Sequence, residues 1–254
     1  MEMTAIVSVG NLSKEPWASV LCYPKASKSE IQKRVVELQK HGVKALEFAG
    51  NANAFNVPVL GKGFVGIVVV AHLSGERRVA LKIRRVDADR LGLQHESRML
   101  RRANAVQVGP RFRGVSRNFL LMELIEAIAL PEWSETQKEK MNLRNVLSNV
   151  LEQCWRLDNS GLDHGELSKA PKHVIVDNQQ KPWIVDFETA SVNRKTANLT
   201  SICQFMFVSG SKLSRKVDEI LGKRQKEEII HALRLYKKDK TLENFHRVKK
   251  ICLS

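Results

Sequence analysis

The sequence predicts an α+β fold in which a β-rich first half is followed by a helical second half. Two patterns support this order. Between residues 43 and 70 the chain consists of short apolar runs broken by Gly, Asn and Pro, which is typical of strands and turns. From residue 134 onward, long stretches without Gly or Pro carry apolar residues at helical spacing. Hydrophobic residues make up 43% of the 254 positions, which is enough to build a core.

The N-terminal part of the chain contains one clear helical pattern. Ser27 or Ser29 can cap the start of a helix, and the apolar residues that follow recur at helical spacing. The helix is expected to end at His41, because Gly42 is a typical residue after a helix C-terminus. This part of the chain matches no motif, and we interpret residues 1–55 as an N-terminal extension or subdomain.

Strands and one helix are predicted next. The β-branched run 67–71 and the run 79–83 are separated by the turn residues Ser74-Gly75-Glu76, and they predict a hairpin. Residues 88–103 have a helical composition, and residues 119–125 form a further strand candidate.

The second half begins with a predicted long helix. Residues 136–153 contain no Gly or Pro, and we expect the helix to stop near Gly161. Two short strands follow, at 174–176 and 183–185, and basic helices occupy the rest of the chain from about Ser211.

Charge and composition restrict the class of protein. Lys and Arg exceed Asp and Glu by 15, and the excess lies in residues 61–130 and 201–254, while residues 131–200 are close to neutral. Charged residues make up 27% of the chain, and Gly and Pro are few, so disordered and collagen-like classes are excluded. A positive balance of this size favours an anionic partner.

Cysteine usage and hydropathy point to a cytoplasmic protein. The four cysteines are far apart and form no CxxC pair, which argues against a zinc site or a disulfide framework. The longest apolar run is too short to span a bilayer, and the first residues show no signal-peptide pattern. We therefore expect reduced core thiols and no membrane association.

A glycine-rich segment carries the first chemical motif. Gly61, Gly63 and Gly66 form a G-x-G-x-x-G pattern. A dinucleotide-binding fold needs a helix directly after such glycines, whereas here they run into β-branched residues. A glycine-rich loop inside a hairpin lets backbone N–H groups approach nucleotide phosphates, since no Cβ obstructs them. Taken alone, the pattern is equally compatible with a simple hairpin turn.

Further motifs follow the glycines in a fixed order. They are Val79-Ala80-Leu81-Lys82, Glu96 within a helical segment, the apolar strand Leu120–Ile125, the loop Leu162-Asp163-His164-Gly165-Glu166-Leu167-Ser168 and, after a strand, Asp186-Phe187-Glu188. Together these motifs resemble the protein-kinase fold, and specifically the small atypical kinases of the RIO type, whose catalytic loop reads H-G-D-L-S. The resemblance covers residues 60–205. The sequence is similar in particular to compact predicted archaeal Ser/Thr kinases with an H-G-E-L loop.

The resemblance implies a two-lobed protein-kinase-like fold and the use of ATP and Mg²⁺. The extension 1–55 would precede a β-rich N-lobe at 56–125 and a compact helical C-lobe at 126–254. Only about 25 residues connect Asp186 to the last helices, and there is no A-P-E sequence, so a full activation segment has no room.

The resemblance also implies nucleotide-binding roles in the N-lobe. Gly61, Gly63 and Gly66 would cover the phosphates, and Lys82 would bind the α- and β-phosphates while paired with Glu96. The alternative is that Lys82 and Glu96 are ordinary solvated surface charges.

A hinge strand is implied between the lobes. The backbone of Glu123 and Ile125 would offer hydrogen bonds to the edge of the adenine, with Met122 behind the base. The alternative, a buried core strand with no ligand role, is compatible with the same sequence.

The implied catalytic residues depart from the family pattern. Glu166 stands where the catalytic Asp is expected, and it would accept the proton of the attacking hydroxyl. Asp186 would hold the metal ion, whereas the Gly that ends this motif is replaced by Glu188. The Asn that binds a second metal is replaced by Pro171, or by His173 when the following strand is aligned.

These departures allow two interpretations. In an active enzyme, the longer loop sets Glu166 back to where an Asp carboxylate would lie, Asp186 holds Mg²⁺, and another side chain replaces the missing contacts. The candidates for that replacement are Glu188, Lys169, Lys172 and His173. In a degenerate enzyme, nucleotide binding survives without efficient transfer. We favour the active interpretation.

The compact substrate side favours a folded partner over an extended peptide. Residues 77–117 contain 12 Lys and Arg against 3 acids, and a second basic run lies at 237–250. The resemblance implies contact with RNA or a ribonucleoprotein through these patches, and it leaves the protein substrate open. The alternatives to a Ser/Thr kinase are a pseudokinase or ATPase-like switch in RNA or ribosome assembly, and a small-molecule kinase.

Overall fold

The computed structural model describes residues 4–75, 77–168 and 171–254, which form two compact units. The N-terminal unit comprises Met1–Arg98 and Arg111–Ile125, and the C-terminal unit comprises Met99–Pro110 and Glu126–Ser254. Strands dominate the first unit and helices the second, so the predicted α+β order is confirmed.

The N-terminal unit is built on an antiparallel sheet. Its strands are β1 (Ala5–Ser8), β2 (Val43–Phe48), β3 (Ala52–Ala54), β4 (Val57–Val59), β5 (Gly61–Lys62), β6 (Gly66–Leu73), β7 (Arg78–Arg84), β8 (Phe112–Val115) and β9 (Phe119–Glu123). Within the described residues, seven of them form one sheet in the order β1-β2-β6-β7-β9-β8, with β5 paired to β6. β3 and β4 form a separate hairpin.

Three helices accompany these strands: α1 (Trp17–Leu21), α2 (Lys28–Lys40) and α3 (Gln94–Ala105), which continues into the C-terminal unit. α2 begins as predicted, since the Ser27 hydroxyl accepts the N–H of Glu30 at 3.2 Å. The hairpin predicted from the two β-branched runs is β6–β7. The helix predicted from residue 88 begins six residues later, because Leu91 and Leu93 are hydrogen-bonded through their backbone to Arg117.

The N-terminal extension shares its core with the sheet. β1 pairs with β2, and β2 pairs with β6, so the first 48 residues widen the same sheet that carries the glycine-rich hairpin. Leu12, Leu38 and Phe48 are fully buried in one cluster with Ile67 and Leu81. This continuity brings residues of the extension close to β5 and β6.

A buried arginine ties α2 to the sheet. The Arg34 side chain is fully buried, and its guanidinium donates to the carbonyls of Leu21 and Arg84 at 2.7 and 2.6 Å. It also donates to Glu30 and to the side-chain oxygen of Asn118. A buried charge is tolerated only when its hydrogen bonds are made, as they are here.

We expect Arg34→Met to lower the free energy of unfolding by about 3 kcal/mol, because two buried carbonyls lose their donor. Denaturant unfolding measures this value, and the matched control is Lys33→Met on the exposed side of the same helix. Equal stability of the two variants would show that the network contributes nothing to the fold.

The C-terminal unit is mainly helical. Its helices are α4 (Leu130–Glu135), α5 (Lys140–Asn159), α6 (Asn198–Cys203), α7 (Lys212–Leu221), α8 (Lys226–Lys238) and α9 (Leu242–Leu253). A π-helical turn, Gln204–Val208, follows α6. Across the described residues we find no helix long and apolar enough to cross a bilayer.

A small sheet accompanies the helices, with strands β10 (Ala127–Ala129), β11 (Val174–Asp177) and β12 (Pro182–Ile184) paired antiparallel in that order. The predicted long helix is α5, which begins at Lys140 and ends before Gly161. Its buried apolar face packs on the small sheet and on α6 and α9. Two segments therefore begin at well-packed elements: the segment between α5 and β11, and the segment after β12.

All four cysteines lie in the described residues, where they are buried free thiols. Burial raises the pKa of the Cys154 and Cys203 thiols well above the usual value, so these side chains are unreactive core residues.

Candidate active site

The glycine-rich segment forms the tight hairpin between β5 and β6. The N–H of Gly63 donates to the carbonyl of Gly66 at 2.8 Å. A Cβ on Gly66 would lie 2.8 Å from the Ile83 carbonyl and 3.0 Å from Cγ of Lys82. A side chain at residue 66 would collide with the Ile83 carbonyl and with the Lys82 side chain, so this position requires Gly. A Cβ on Gly61, by contrast, would make only ordinary van der Waals contacts.

The structure brings Lys82 and Glu96 together. β7 supplies Lys82 and the first turn of α3 supplies Glu96, and the Lys82 Nζ lies 3.0 and 2.9 Å from the two carboxylate oxygens. Their side chains are 6% and 5% exposed, so they are not solvated surface charges. An ammonium group held in this way is fixed in position and can attract phosphate oxygens.

The hinge strand is only partly available to a base. The N–H of Glu123 already donates to the Arg111 carbonyl at 2.8 Å, and its carboxylate accepts the Arg111 N–H at 3.0 Å. Of the two backbone hydrogen-bonding groups of Glu123, at most the carbonyl is therefore available to bind the edge of a purine base. Ile125 lies two residues beyond the end of β9, and Met122 is half-buried.

The loop that follows α5 is clamped on both sides of Asp163. The N–H groups of Asp163 and Ser191 donate to each other's carbonyls at 2.9 and 2.8 Å. The side-chain oxygen of Asn198 accepts the N–H of His164 at 2.8 Å, while its amide nitrogen donates to the Leu162 carbonyl at 2.8 Å. Asn198, at the start of α6, therefore fixes the backbone directly before Glu166.

Asn198 is itself held by a buried carboxylate. Oδ1 of Asp158 accepts the backbone N–H and the side-chain amide of Asn198 at 2.9 and 2.8 Å. Oδ2 of Asp158 accepts the N–H of Leu199 at 3.2 Å and the hydroxyl of Tyr236 at 3.0 Å. Burial beside Asp158 raises the pKa of Tyr236 well above its usual range, so this hydroxyl stays a donor.

Gly165 lets the loop turn toward Glu166. Its φ is +93°, and a Cβ there would collide with the guanidinium of Arg194. That guanidinium binds the Asp163 carboxylate and donates to the Thr189 carbonyl at 2.7 Å. The glycine of the H-G-E sequence is therefore a steric requirement of this loop.

The loop and the end of the small sheet bring Glu166, His173 and Asp186 together. His173 Nε2 lies 3.9 Å from Oε2 of Glu166 and 3.9 Å from Oδ2 of Asp186. These separations are longer than hydrogen bonds, so the imidazole is hydrogen-bonded to neither carboxylate. The two carboxyl groups are 39% and 37% exposed, and solvent or a ligand can reach both.

Asp186 is presented by an unusual backbone conformation. Its φ of +68° is in the left-handed region, which Asp adopts more readily than most residues. The next side chain, Phe187, is buried, contacts Gly109 and meets the His164 ring edge-on at 5.1 Å. Carboxylate oxygens of Asp186 and Glu188 lie within 4.8 Å of each other.

The donor set fits a magnesium ion. Mg²⁺ prefers oxygen ligands and is usually held by one or two carboxylates, which Asp186 and Glu188 supply. His173 offers nitrogen, a poorer ligand for this ion. Of the candidates for the missing contacts, Glu188 therefore fits best. Lys172 is exposed, and Lys169 lies outside the described residues, as do Met1–Met3 and Glu76.

His164 is a buried neutral imidazole. It is fully buried, and its Nε2 donates to the Val185 carbonyl at 3.0 Å, since a carbonyl can only accept. Within the described residues, its Nδ1 has no hydrogen-bond partner. Burial lowers the pKa of His164 to about 4. The ring therefore supports Phe187 and the strand end without carrying charge at neutral pH.

This low pKa predicts acid sensitivity. In the unfolded chain the imidazole titrates near 6.5, so below that pH the unfolded state binds a proton that the folded state resists. We expect the wild type to lose about 3 kcal/mol of stability through this group between pH 7 and pH 4. Denaturant unfolding at both pH values checks this. His164→Asn lacks the titrating group, and a pH dependence equal to that of the wild type would contradict the assignment.

Sequence reasoning missed the residues that position the loop. Asp158, Asn198, Tyr236 and Arg194 are far apart along the chain, and none belongs to a motif. One signal was available, because Asp158 falls on the apolar stripe of α5, four residues after Cys154. A carboxylate at such a position must have buried donors around it.

Comparison with known proteins identifies the family of this chain. A family model for the RIO domain matches residues 65–201, which is more than half of the chain and includes Lys82, Glu96, Glu166 and Asp186. An uncharacterized protein of Methanocaldococcus jannaschii is 27% identical over 84 residues, which cover 33% of this chain and 70% of that protein. RIO domains are atypical protein-kinase-like, ATP-binding phosphotransferases that generally use ATP and Mg²⁺. The chain belongs to the RIO-domain family.

Proposed function

We propose that this chain is an ATP- and Mg²⁺-dependent Ser/Thr protein kinase of the RIO type that acts on a folded protein or ribonucleoprotein. The observation that carries the proposal is the convergence of Glu166 and Asp186, whose carboxylates each lie 3.9 Å from His173 Nε2. Asn198 fixes the loop that leads to Glu166. Transfer of a phosphoryl group to a hydroxyl requires a carboxylate that can accept the proton, which is Glu166 in this proposal. It also requires carboxylates that can bind a metal ion nearby, and these are Asp186 and Glu188.

Each residue has a distinct task in this proposal. Bound Mg²⁺ would neutralise phosphate charge and orient the nucleotide. Asp186 and Glu188 would hold that ion through carboxylate oxygens, and Lys82, which Glu96 fixes in position, would attract the phosphates. Glu166 accepts the proton of the attacking hydroxyl.

The segment after Asp186 supports a folded partner. Only 11 residues separate Asp186 from the first residue of α6, and the segment is held by the Ser191 backbone pair and by Arg194. A segment this short and this well anchored offers no long groove for an extended peptide.

The basic surface supports an anionic partner such as RNA. In the patch 77–117, most of the Lys and Arg side chains are exposed, although Lys82 and Arg84 are buried in internal contacts. In the patch 237–250, Lys237, Lys238, Arg247 and Lys250 are exposed. Phosphate contacts release counterions, so RNA affinity must fall as salt rises, and a salt-independent affinity would exclude this partner.

The proposal is tested by incubating the protein with γ-labelled ATP and Mg²⁺, together with basic proteins and ribosomal fractions. We expect label on protein that disappears with a chelator. Lys82→Met should slow the transfer about a hundredfold, because phosphate positioning is lost. Lys44→Met, an exposed lysine on β2, is the matched control and should transfer at the wild-type rate.

An alternative outcome would identify a degenerate enzyme. If the wild type binds ATP but transfers no more label than Lys82→Met, the kinase proposal fails and a nucleotide-binding pseudokinase or switch remains. Unfolding temperatures of both variants show whether a slow rate reflects misfolding, because Lys82→Met leaves Glu96 without its buried partner.

A further inference from the structure

An aromatic ring of the N-terminal extension, that of Tyr23, contacts cations at the glycine-rich hairpin. Lys62 Nζ lies 4.5 Å from the centroid of the Tyr23 ring, and Cζ of Arg85 lies 4.9 Å from it. Lys62 belongs to β5, and Arg85 follows β7 directly. Two cations that flank the glycine-rich hairpin therefore meet the face of one ring.

Arg85 connects this ring to the backbone of the loop. Its guanidinium donates to the carbonyl of Gly63 at 3.1 Å, and its backbone N–H donates to the carbonyl of Val65 at 2.8 Å. The carboxylate of Asp87 orients the guanidinium through hydrogen bonds of 2.9 and 2.7 Å. The hairpin tip is thus held by Arg85 from one end of β7.

Tyr23 is itself fixed in place. Its carbonyl accepts the N–H of Val86 at 2.8 Å, which anchors it beside Arg85. Its ring packs on Phe55 with the centroids 4.8 Å apart. Phe55 has a φ of +50°, a conformation that bulky residues rarely adopt, so the chain accepts backbone strain where this ring pair forms.

We propose that Tyr23 is a positioning residue for the nucleotide phosphates, acting through Lys62 and Arg85 on the glycine-rich hairpin. This inference rests on the proposed ATP-dependent function and gives the N-terminal extension a role in it. A loop that is ordered before the ligand arrives loses less conformational freedom on binding, so the affinity for the phosphate part rises.

The inference makes a prediction that depends on the phosphates. Tyr23→Leu removes the aromatic face and with it two exposed cation–π contacts. We expect this loss to raise the dissociation constant for ATP with Mg²⁺ about fivefold to thirtyfold. The affinity for adenosine, which has no phosphates, should stay unchanged. Tyr23→Phe keeps the face of the ring and should bind both ligands as the wild type does. Calorimetric titration of each variant with ATP and with adenosine gives the four constants.

A second measurement is independent of nucleotide. Amide hydrogen exchange at residues 61–66 should be faster in Tyr23→Leu than in Tyr23→Phe, with β7 unchanged as the internal reference. If Tyr23→Leu does not fold, Arg85→Met removes the bond to the Gly63 carbonyl and should show the same selective loss of ATP affinity.

The outcomes separate this inference from the function on which it rests. If the wild type does not bind ATP, the proposed function and the inference both fail. If the wild type binds ATP, and Tyr23→Leu either binds it equally well or loses ATP and adenosine affinity to the same extent, the proposed function stands. Tyr23 is then an ordinary packing residue, and the inference is overturned.

Discussion

Phosphate transfer by Glu166→Gln should be roughly 10²- to 10⁴-fold slower than transfer by the wild type, while ATP binding stays unchanged. Gln has nearly the shape of Glu, but its amide oxygen cannot take up a proton from the attacking hydroxyl. The loop should keep its form, because the contacts of Asn198, Asp163 and Arg194 involve other groups of the loop. Single-turnover transfer, with ATP affinity measured in parallel, separates the chemical step from binding.

Two further variants define the role of Glu166. Glu166→Asp shortens the side chain by one methylene, and a displacement of about 1 Å can cost about a hundredfold in rate. We propose that the longer loop is adapted to Glu, and we therefore expect this variant to be slow as well. Glu132→Gln, an exposed residue of α4, is the matched control. A wild-type rate for Glu166→Gln would show that another group accepts the proton.

Asp186→Asn should weaken the dependence of ATP binding on Mg²⁺ and slow transfer roughly a thousandfold, the equivalent of about 4 kcal/mol. Asn removes the negative charge that a magnesium ligand needs. It also tolerates the left-handed backbone at this position, where φ is +68°, so the loss cannot be ascribed to a changed fold. ATP titrations with Mg²⁺ and with a chelator measure the effect.

Glu188 provides the comparison within the same pair of carboxylates. Glu188→Gln should also weaken the Mg²⁺ dependence, because each of the two variants leaves a single carboxylate of this pair for the ion. If Asp186→Asn retains full Mg²⁺-dependent binding, this pair does not hold the metal. The distinction that we draw between Glu188 and His173 would then also be wrong.

Local sequence patterns predicted several of the elements correctly. The β-branched runs predicted β6 and β7, and the Ser27 cap predicted α2, because both signals act within a few residues. The order of the motifs was enough to indicate the family, which the match to residues 65–201 confirms. The family resemblance also implied the pairing of Lys82 with Glu96, and the structure brings these two side chains together.

Contacts between distant residues could not be predicted in the same way. Asp158, Asn198 and Tyr236 meet only because α5, α6 and α8 pack together, and no short motif reports that packing. Arg34 appears in the sequence as one more surface cation on a helix, yet it is fully buried. The contact of Tyr23 with Lys62 and Arg85 likewise depends on a long-range fold of the extension. In each case the deciding interaction joins elements far apart along the chain.

The destination of the γ-phosphate distinguishes a protein kinase from a protein that only binds or hydrolyses ATP. Wild-type protein is incubated with γ-labelled ATP, Mg²⁺ and ribosomal fractions, and mass spectrometry locates the label. We expect phosphate esters on Ser or Thr hydroxyl groups with the wild type and none with Asp186→Asn. Label that remains in ATP, or that appears only as inorganic phosphate, would contradict it.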